Sequence, residues 1–256
     1  MWIFRMKGDF ETLDPLLPEL FDRGARGLEE KEGEVLAYFP EKVPLPFPGT
    51  WEKAPDEDWL SAWKRDLKPV VAGRFWVGAP WHDPLEAELI PIVIEPGMAF
   101  GTGHHETTRM ALKALSEAVT PGMRVLDLGT GSGVLAIAAE KLGARVLALD
   151  IDPEAVRAAR ENAAKNEAAV EVRKGSLEAA PGPFDLIVAN LYAELHQEFA
   201  REYARRLRPG GRLLVTGILK DRAEATRKAL RDAGLELLDE AQEGEWVLLD
   251  LRKRKP

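Results

Sequence analysis

The sequence predicts an α/β protein in which a doubly wound, mainly parallel sheet follows a small α+β domain, the two joined by a linker helix. Three observations predict it. From residue 96 onward, helical and strand-like stretches alternate. A glycine-rich turn separates the first of those strands from its helix. Residues 1–95 differ from the rest in composition and in the order of their elements.

Residues 1–54 read as the small α+β domain. Two apolar runs, Trp2–Lys7 and Glu34–Phe39, flank one helical stretch over 12–22 that Gly24 follows, and Pro40, Pro44, Pro46 and Pro48 mark a loop. Residues 55–69 read as the linker helix, with Asp56, Glu57 and Asp58 in its first turn, Lys64, Arg65 and Lys68 toward its end and Pro69 as a stop. Trp59 and Trp63, at i and i+4 beside Leu60 and Leu67, give it an apolar face. Residues 70–95 read as connecting strands, 70–77 and 89–94, around a loop with Pro80 and Pro84. The large domain, 96–256, then carries helices over 107–119, 134–142, 153–166, up to about 207, and 221–233. Its strands fall at 125–128, 145–150, around 170, 184–189, 212–216, 235–240 and 245–251, the last two able to pair as a hairpin.

Composition narrows the function. No apolar stretch reaches the roughly 20 residues that cross a bilayer, and Met1-Trp2-Ile3-Phe4-Arg5 lacks the basic start and apolar middle of a signal peptide. A cytoplasmic monomer with no membrane contact is expected. The lack of cysteine excludes disulfides, thiolate metal sites and cysteine nucleophiles. Residues 1–95 hold 11 Lys or Arg against 19 Asp or Glu, whereas residues 96–256 hold 24 of each, so the whole net charge of −8 lies in the first third. Such a segment repels phosphate backbones and attracts basic partners, which disfavours nucleic acid. Six of the seven tryptophans (Trp2, Trp51, Trp59, Trp63, Trp76 and Trp81) lie there too, a composition suited to docking on a basic protein.

The most informative stretch is Val125-Leu126-Asp127-Leu128-Gly129-Thr130-Gly131-Ser132-Gly133. Its apolar start suits a buried parallel strand, and its glycines let the backbone turn sharply and approach a ligand. One helix later, Arg145-Val146-Leu147-Ala148-Leu149 ends in Asp150, a carboxylate placed to accept hydrogen bonds from ribose hydroxyls. A dinucleotide fingerprint needs a third glycine at position 134, which is Val134, and a P-loop needs a Gly-Lys-Ser/Thr ending, which is absent. Asp127, the alternating glycines and the ribose acid resemble the first two motifs of class I S-adenosylmethionine-dependent methyltransferases.

Two further stretches carry chemistry. In Pro96-Gly97-Met98-Ala99-Phe100-Gly101-Thr102-Gly103-His104-His105-Glu106-Thr107-Thr108, glycines surround an aromatic, and two threonines open a helix. That is a loop able to lie against a ligand and offer hydroxyls and free N–H groups to a carboxylate. His104-His105-Glu106 lacks the H-E-x-x-H spacing, so no metal is expected. Phe184 to Ala189 form an apolar run ending in Asn190-Leu191-Tyr192, at the carboxyl edge where open α/β sheets bind ligands. The Asn190 carboxamide oxygen and the Leu191 carbonyl are the candidates to accept hydrogen bonds from an amine and aim its lone pair, with Tyr192 as an aromatic wall. Amine methyltransferases of this class often carry Asn-Pro-Pro-Tyr there, and this chain keeps the amide and the aromatic. His196 and water stay open as proton acceptors. Gly175-Ser176-Leu177 follows the third strand, where the resemblance to class I methyltransferases implies the adenine edge; Gly217-Ile218-Leu219 reads as a border of the substrate side, and Trp246 as core.

Together the stretches 97–103 with Thr107-Thr108, 127–133, Asp150-Ile151-Asp152 and Val188-Ala189-Asn190-Leu191 resemble the bacterial ribosomal protein L11 methyltransferase family, over most of the chain. The resemblance implies a seven-stranded class I sheet, S-adenosylmethionine as donor and S-adenosylhomocysteine as product. It implies methylation, up to trimethylation, of lysine ε-amines and the N-terminal α-amine of that basic ribosomal protein, which the small domain recognises while the linker permits reorientation. Cofactor contacts are expected at Phe100, Gly101, Thr102, Gly103, Thr107, Thr108, Asp127, Gly129, Thr130, Gly131, Asp150, Ile151, Gly175, Ser176, Leu177 and Asn190, those at Thr108, Gly129, Asp150 and Asn190 by motif position. Methylation of RNA or of a small-molecule amine is the alternative.

Overall fold

The computed structural model describes residues 2–13, 16–31, 33–53, 67–84, 88–96 and 103–255. The chain divides into two compact units, Met1–Leu67 and Lys68–Pro256. Of the linker helix expected over 55–69, residues 55–66, with Trp59 and Trp63, lie outside the described residues, as do the expected contacts Phe100, Gly101 and Thr102; residues 67–69 are not helical.

In the first unit the elements run β1 (Trp2–Lys7), α1 (Phe10–Leu13), α2 (Leu17–Asp22), β2 (Gly27–Lys31), β3 (Glu34–Phe39) and β4 (Thr50–Lys53). The four strands form an antiparallel sheet in the order β2-β3-β1-β4. Alternation places Phe4, Met6, Val35, Ala37 and Phe39 on one face, where they bury Leu20 of α2. The helical stretch expected over 12–22 is two short helices. The two strands that the sequence does not announce, β2 and β4, are the sheet's edges. Edge strands bury little, and Glu29, Glu30, Lys31, Glu52 and Lys53 leave no apolar alternation to read. Trp51 is a packing residue, its ring centroid 5.0 Å from that of Phe4 and 5.1 Å from that of Phe39.

The second unit begins with β5 (Val70–Ala72), β6 (Phe75–Gly78) and β7 (Ile90–Val93), a three-stranded sheet with β5 antiparallel and β7 parallel to β6. The single strand expected over 70–77 is therefore a hairpin, turning at Gly73 with φ +58°. Phe75, Val77, Ile92 and Ile94 share one core with α3 (Glu106–Ala118), β8 (Arg124–Leu128) and α4 (Val134–Lys141), so residues 70–95 belong to the body of this unit. Trp76, between Phe75 and Val77 on β6, is buried.

The alternation continues through β9 (Arg145–Asp150), α5 (Pro153–Lys165), β10 (Glu171–Lys174), β11 (Phe184–Asn190), α6 (Ala193–Arg206), β12 (Leu207–Leu219), α7 (Ala223–Asp232), β13 (Leu235–Glu243) and β14 (Trp246–Lys253). Seven strands form one sheet in the order β10-β9-β8-β11-β12-β14-β13, parallel except for β14, which runs antiparallel to both its neighbours. Leu186 and Val188 of β11 face one core while Ile187 and Ala189 face the other, which is why this strand is apolar throughout. Each such fully buried Leu, Ile or Val contributes about 1.5–3 kcal/mol. The strand order reverses between β8 and β11, and the crossovers leave a crevice outside the carboxyl ends of these strands.

Candidate active site

That crevice holds a cavity of about 640 Å³, of the size that encloses a small-molecule cofactor. Its first wall is the turn after β8. The Gly129 and Thr130 N–H groups both donate to the Leu149 carbonyl, at 2.8 and 2.9 Å, and so tie the end of β8 to the end of β9. Gly129 has φ +73°, a conformation that favours glycine, and a Cβ there would lie 2.5 Å from Leu191 Cδ2, which would have to shift. Asp150 faces this turn. Its Oδ2 accepts from the Gly131 N–H at 2.9 Å and its Oδ1 from the Asp152 N–H at 3.0 Å. A carboxylate has about four lone-pair sites, so two stay available for a ribose diol.

The opposite wall is the first turn of α3. His105 is its N-cap, with Nδ1 accepting from the Thr107 N–H at 3.3 Å. Asn190 Nδ2 donates to Thr107 Oγ1 at 3.0 Å, and the same Oγ1 lies 2.8 Å from His105 Nδ1, to which its own hydrogen is directed. Thr108 is 1% exposed, lines the cavity, and its Oγ1 has no hydrogen-bond partner among the described residues. An orphaned hydroxyl beside the positive end of a 13-residue helix fits a carboxylate.

Between the walls two oxygens converge. Gly217, at φ +83°, is the point where a Cβ would lie 2.3 Å from the Leu191 carbonyl oxygen and 3.0 Å from Asn190 Oδ1. Because Thr107 holds the amide's NH₂ end, Asn190 turns its oxygen to this point. His196 sits behind it, fully buried, with Nε2 2.8 Å from the Thr216 carbonyl and Nδ1 3.1 Å from the Tyr203 hydroxyl. A carbonyl only accepts, so Nε2 carries the proton. Burial lowers the His196 pKa to about 4, against the Thr216 and Leu191 carbonyls, which favour the charged form.

Similarity to known proteins settles affiliation. Residues 29–254 match the family model described as ribosomal protein L11 methyltransferase (PrmA). The chain is 63% identical over 251 residues to the ribosomal protein L11 methyltransferase of Thermus thermophilus, covering 97% of this chain and 98% of that one. The chain belongs to the ribosomal protein L11 methyltransferase family. A Deinococcus radiodurans relative of the same name is 44% identical over 271 residues, covering 99% of each chain. Among solved structures, a ribosomal protein L11 methylase from Lactobacillus delbrueckii subsp. bulgaricus superposes with a TM-score of 0.63 at 34% identity, over 68% of this chain and 91% of that one. A Pyrococcus furiosus methyltransferase, at 23% identity and TM-score 0.55 over 64% of this chain and 89% of that one, shares the fold. Membership makes the protein a class I methyltransferase with S-adenosylmethionine as methyl donor.

Among the described residues, Thr107, Thr108, Gly129, Thr130, Gly131 and Asp150 line the cavity, as do Ile151, Gly175, Ser176, Asn190 and Leu191. Three expected contacts do not reach its wall. Gly103, at φ +90°, is seated against Val77 of β6, and Leu177 is 3% exposed in the core because its apolar side chain turns inward. Asp127 lies beneath the turn, where its Oδ2 accepts from the Thr130 hydroxyl at 2.7 Å and its Oδ1 has no partner among the described residues. Burial raises its pKa to about 7, while the Thr130 hydroxyl and the Ala136 N–H pull it down and Asp150 adds to the rise. Trp246, expected in the core, packs half-buried against it and also lines the cavity, with its ring centroid 5.0 Å from that of His105. Leu195 and Phe199 also line it. They follow Tyr192 at i+3 and i+7, one face of α6, a spacing that could have announced them.

Proposed function

We propose that this enzyme methylates amines of ribosomal protein L11, lysine ε-amines and the N-terminal α-amine, up to the trimethylated state, acting as a cytoplasmic monomer. The observation that supports it best is the convergence of Asn190 Oδ1 and the Leu191 carbonyl beside Gly217. A neutral primary amine has two N–H groups and one lone pair. Two acceptors take the two hydrogens and leave the lone pair aimed away from them. The cofactor supplies an electrophilic methyl group on a sulfonium centre, and the chain's task is to present the nucleophile in line with it.

The residues divide that task. Thr108 and the N-terminus of α3 bind the cofactor's carboxylate, Asp150 binds its ribose, and the Ile151 and Gly175-Ser176 side takes its adenine. Asn190 and Leu191 orient the amine. An ammonium, with a pKa of about 10.4, offers no lone pair until it loses a proton. His196 does not take that proton, since it is buried with Nε2–H already donated, so water does. Each methyl added removes one N–H, and a neutral dimethylated lysine has none left for the two oxygens. Tyr192, 73% exposed at the cavity rim, supplies the apolar, π-rich surface such an acceptor needs. The acidic residues 1–95 favour a basic partner, and the small unit serves as its recognition domain.

Incubating the purified enzyme and labelled S-adenosylmethionine with purified ribosomal protein L11, followed by mass spectrometry of peptides, tests this reading. Label on lysine and α-amines is expected. No incorporation into the protein refutes it, and label on ribosomal RNA instead supports the alternative.

A further inference from the structure

Helix α5 and the residue that ends it carry two asparagines one turn apart, and neither side chain faces the cavity. Asn162 is 2% exposed. Its Nδ2 donates to the Ser132 carbonyl in the glycine turn at 2.8 Å, and its Oδ1 accepts the Glu95 N–H at 3.0 Å. Asn166 takes the Val93 N–H on Oδ1 at 2.8 Å and returns a bond from Nδ2 to the Val93 carbonyl at 2.6 Å, as the peptide of a neighbouring strand would. The Glu95 carboxylate is paired with Lys165 of the same helix. One helix therefore holds both the end of β7 and the turn after β8. Gly133 adds a second seat, since a Cβ there would lie 3.1 Å from Ala159 Cα.

Asparagine is a poor interior helix former, and a buried amide is tolerated only when hydrogen-bonded. At Asn162 the partners explain its presence. Ser132 follows Gly131, whose N–H is fixed on Asp150, so any shift of the Ser132 carbonyl moves the backbone that faces the ribose. We infer that Asn162 is a positioning residue for S-adenosylmethionine, which holds the glycine turn at its working height against β7 without touching the cofactor. The inference rests on assigning the cavity to the cofactor.

Asn162→Asp tests it, because the isosteric carboxyl still accepts the Glu95 N–H but turns an oxygen toward the Ser132 carbonyl. Ionised, that oxygen repels the carbonyl; protonated, it donates as the amide did. Binding of S-adenosylhomocysteine, measured by calorimetry well below the melting temperature at about pH 8, is expected to weaken about tenfold, and the deficit relative to the parent is expected to close as the pH falls toward about 5. At saturating cofactor, kcat is expected within about twofold of the parent, so that the loss appears in KM. A merely structural asparagine would lower the melting temperature and leave the affinity ratio flat with pH. Affinity within about twofold of the parent at pH 8, or a loss that does not depend on pH, overturns the inference. Should N162D not fold at pH 8, N162S, uncharged and too short to reach Ser132, is expected to show the same tenfold weakening, and parent-like binding by it overturns the inference equally. Asp150→Ala serves as the reference. If it too binds like the parent, the cavity assignment falls, whereas a failure confined to Asn162 leaves that assignment standing.

Discussion

Replacing Thr107 by valine keeps the side chain's volume and removes the oxygen from which Asn190 hangs. Thr107 is 1% exposed, while Asn190 and His105 are half-buried beside the cavity. Asn190 Nδ2 loses a partner at 3.0 Å and His105 Nδ1 one at 2.8 Å. The half-buried Asn190 amide recovers a partner for its donor by rotating, since a net hydrogen bond is worth about 1 kcal/mol. Rotation carries Oδ1 away from Gly217, and the acceptor amine then meets one oxygen instead of two. A hydrogen bond to a group gaining positive charge is worth about 1.5–3 kcal/mol, so kcat is expected to fall by about ten- to a hundredfold. Threonine to serine restores the oxygen and is expected to stay within about threefold of the parent. The assay is steady-state transfer of labelled methyl to the ribosomal protein, with cofactor affinity measured separately by calorimetry. Unchanged kcat in T107V would show that this bond does not aim the Asn190 amide.

Gly217→Ala places a methyl group 2.3 Å from the Leu191 carbonyl oxygen in a left-handed conformation that costs about 1–2 kcal/mol, so it should abolish turnover while cofactor binding, read by calorimetry, largely survives. Retained kcat would remove the amine site from Gly217. His196 has a folded pKa of about 4 against 6.5. The folded state prefers its neutral form, so its contribution is complete above about pH 6.5 and lost as the pH falls through 4, by up to about 3 kcal/mol, and His196→Gln should flatten the melting temperature over that window. Equal acid sensitivity in the variant counts against the assignment. Asp127, raised to about 7, has the opposite sense for a carboxyl: its protonated form is favoured on folding, and stability drains away from about pH 4 up to 7. Asp127→Asn should therefore gain melting temperature on the parent between pH 5 and 8, and a difference independent of pH refutes the buried, protonated carboxyl.

The parts of the site legible in the sequence are those whose partners are local. Gly129, Gly131 and Asp150 announce themselves because a strand, a turn and one helix bring them together within 22 residues. The bond from Asn190 to Thr107 joins positions 83 residues apart, and only the strand order places β11 beside the start of α3. Trp246 reads as core because its strand is rich in apolar residues; insertion of β14 between β12 and β13 is what brings its first residue to the cavity. An acid before a glycine turn has the look of a ligand contact, yet the Asp127 side chain packs under the turn. In the small unit, the edge strands β2 and β4 offer no apolar period to find.

The place of β14 has a temporal meaning. It is translated after every other strand of its sheet and yet lies inside it, with β12 on one side and β13 on the other. With the chain emerged only as far as residue 245, β12 has β11 on one side and lacks its neighbour on the other, and the cavity lacks the Trp246 wall. Domains fold as units during synthesis, and residues 68–256 are one unit. The last strand made therefore completes the inside of the sheet, and it brings the Trp246 wall of the cavity with it.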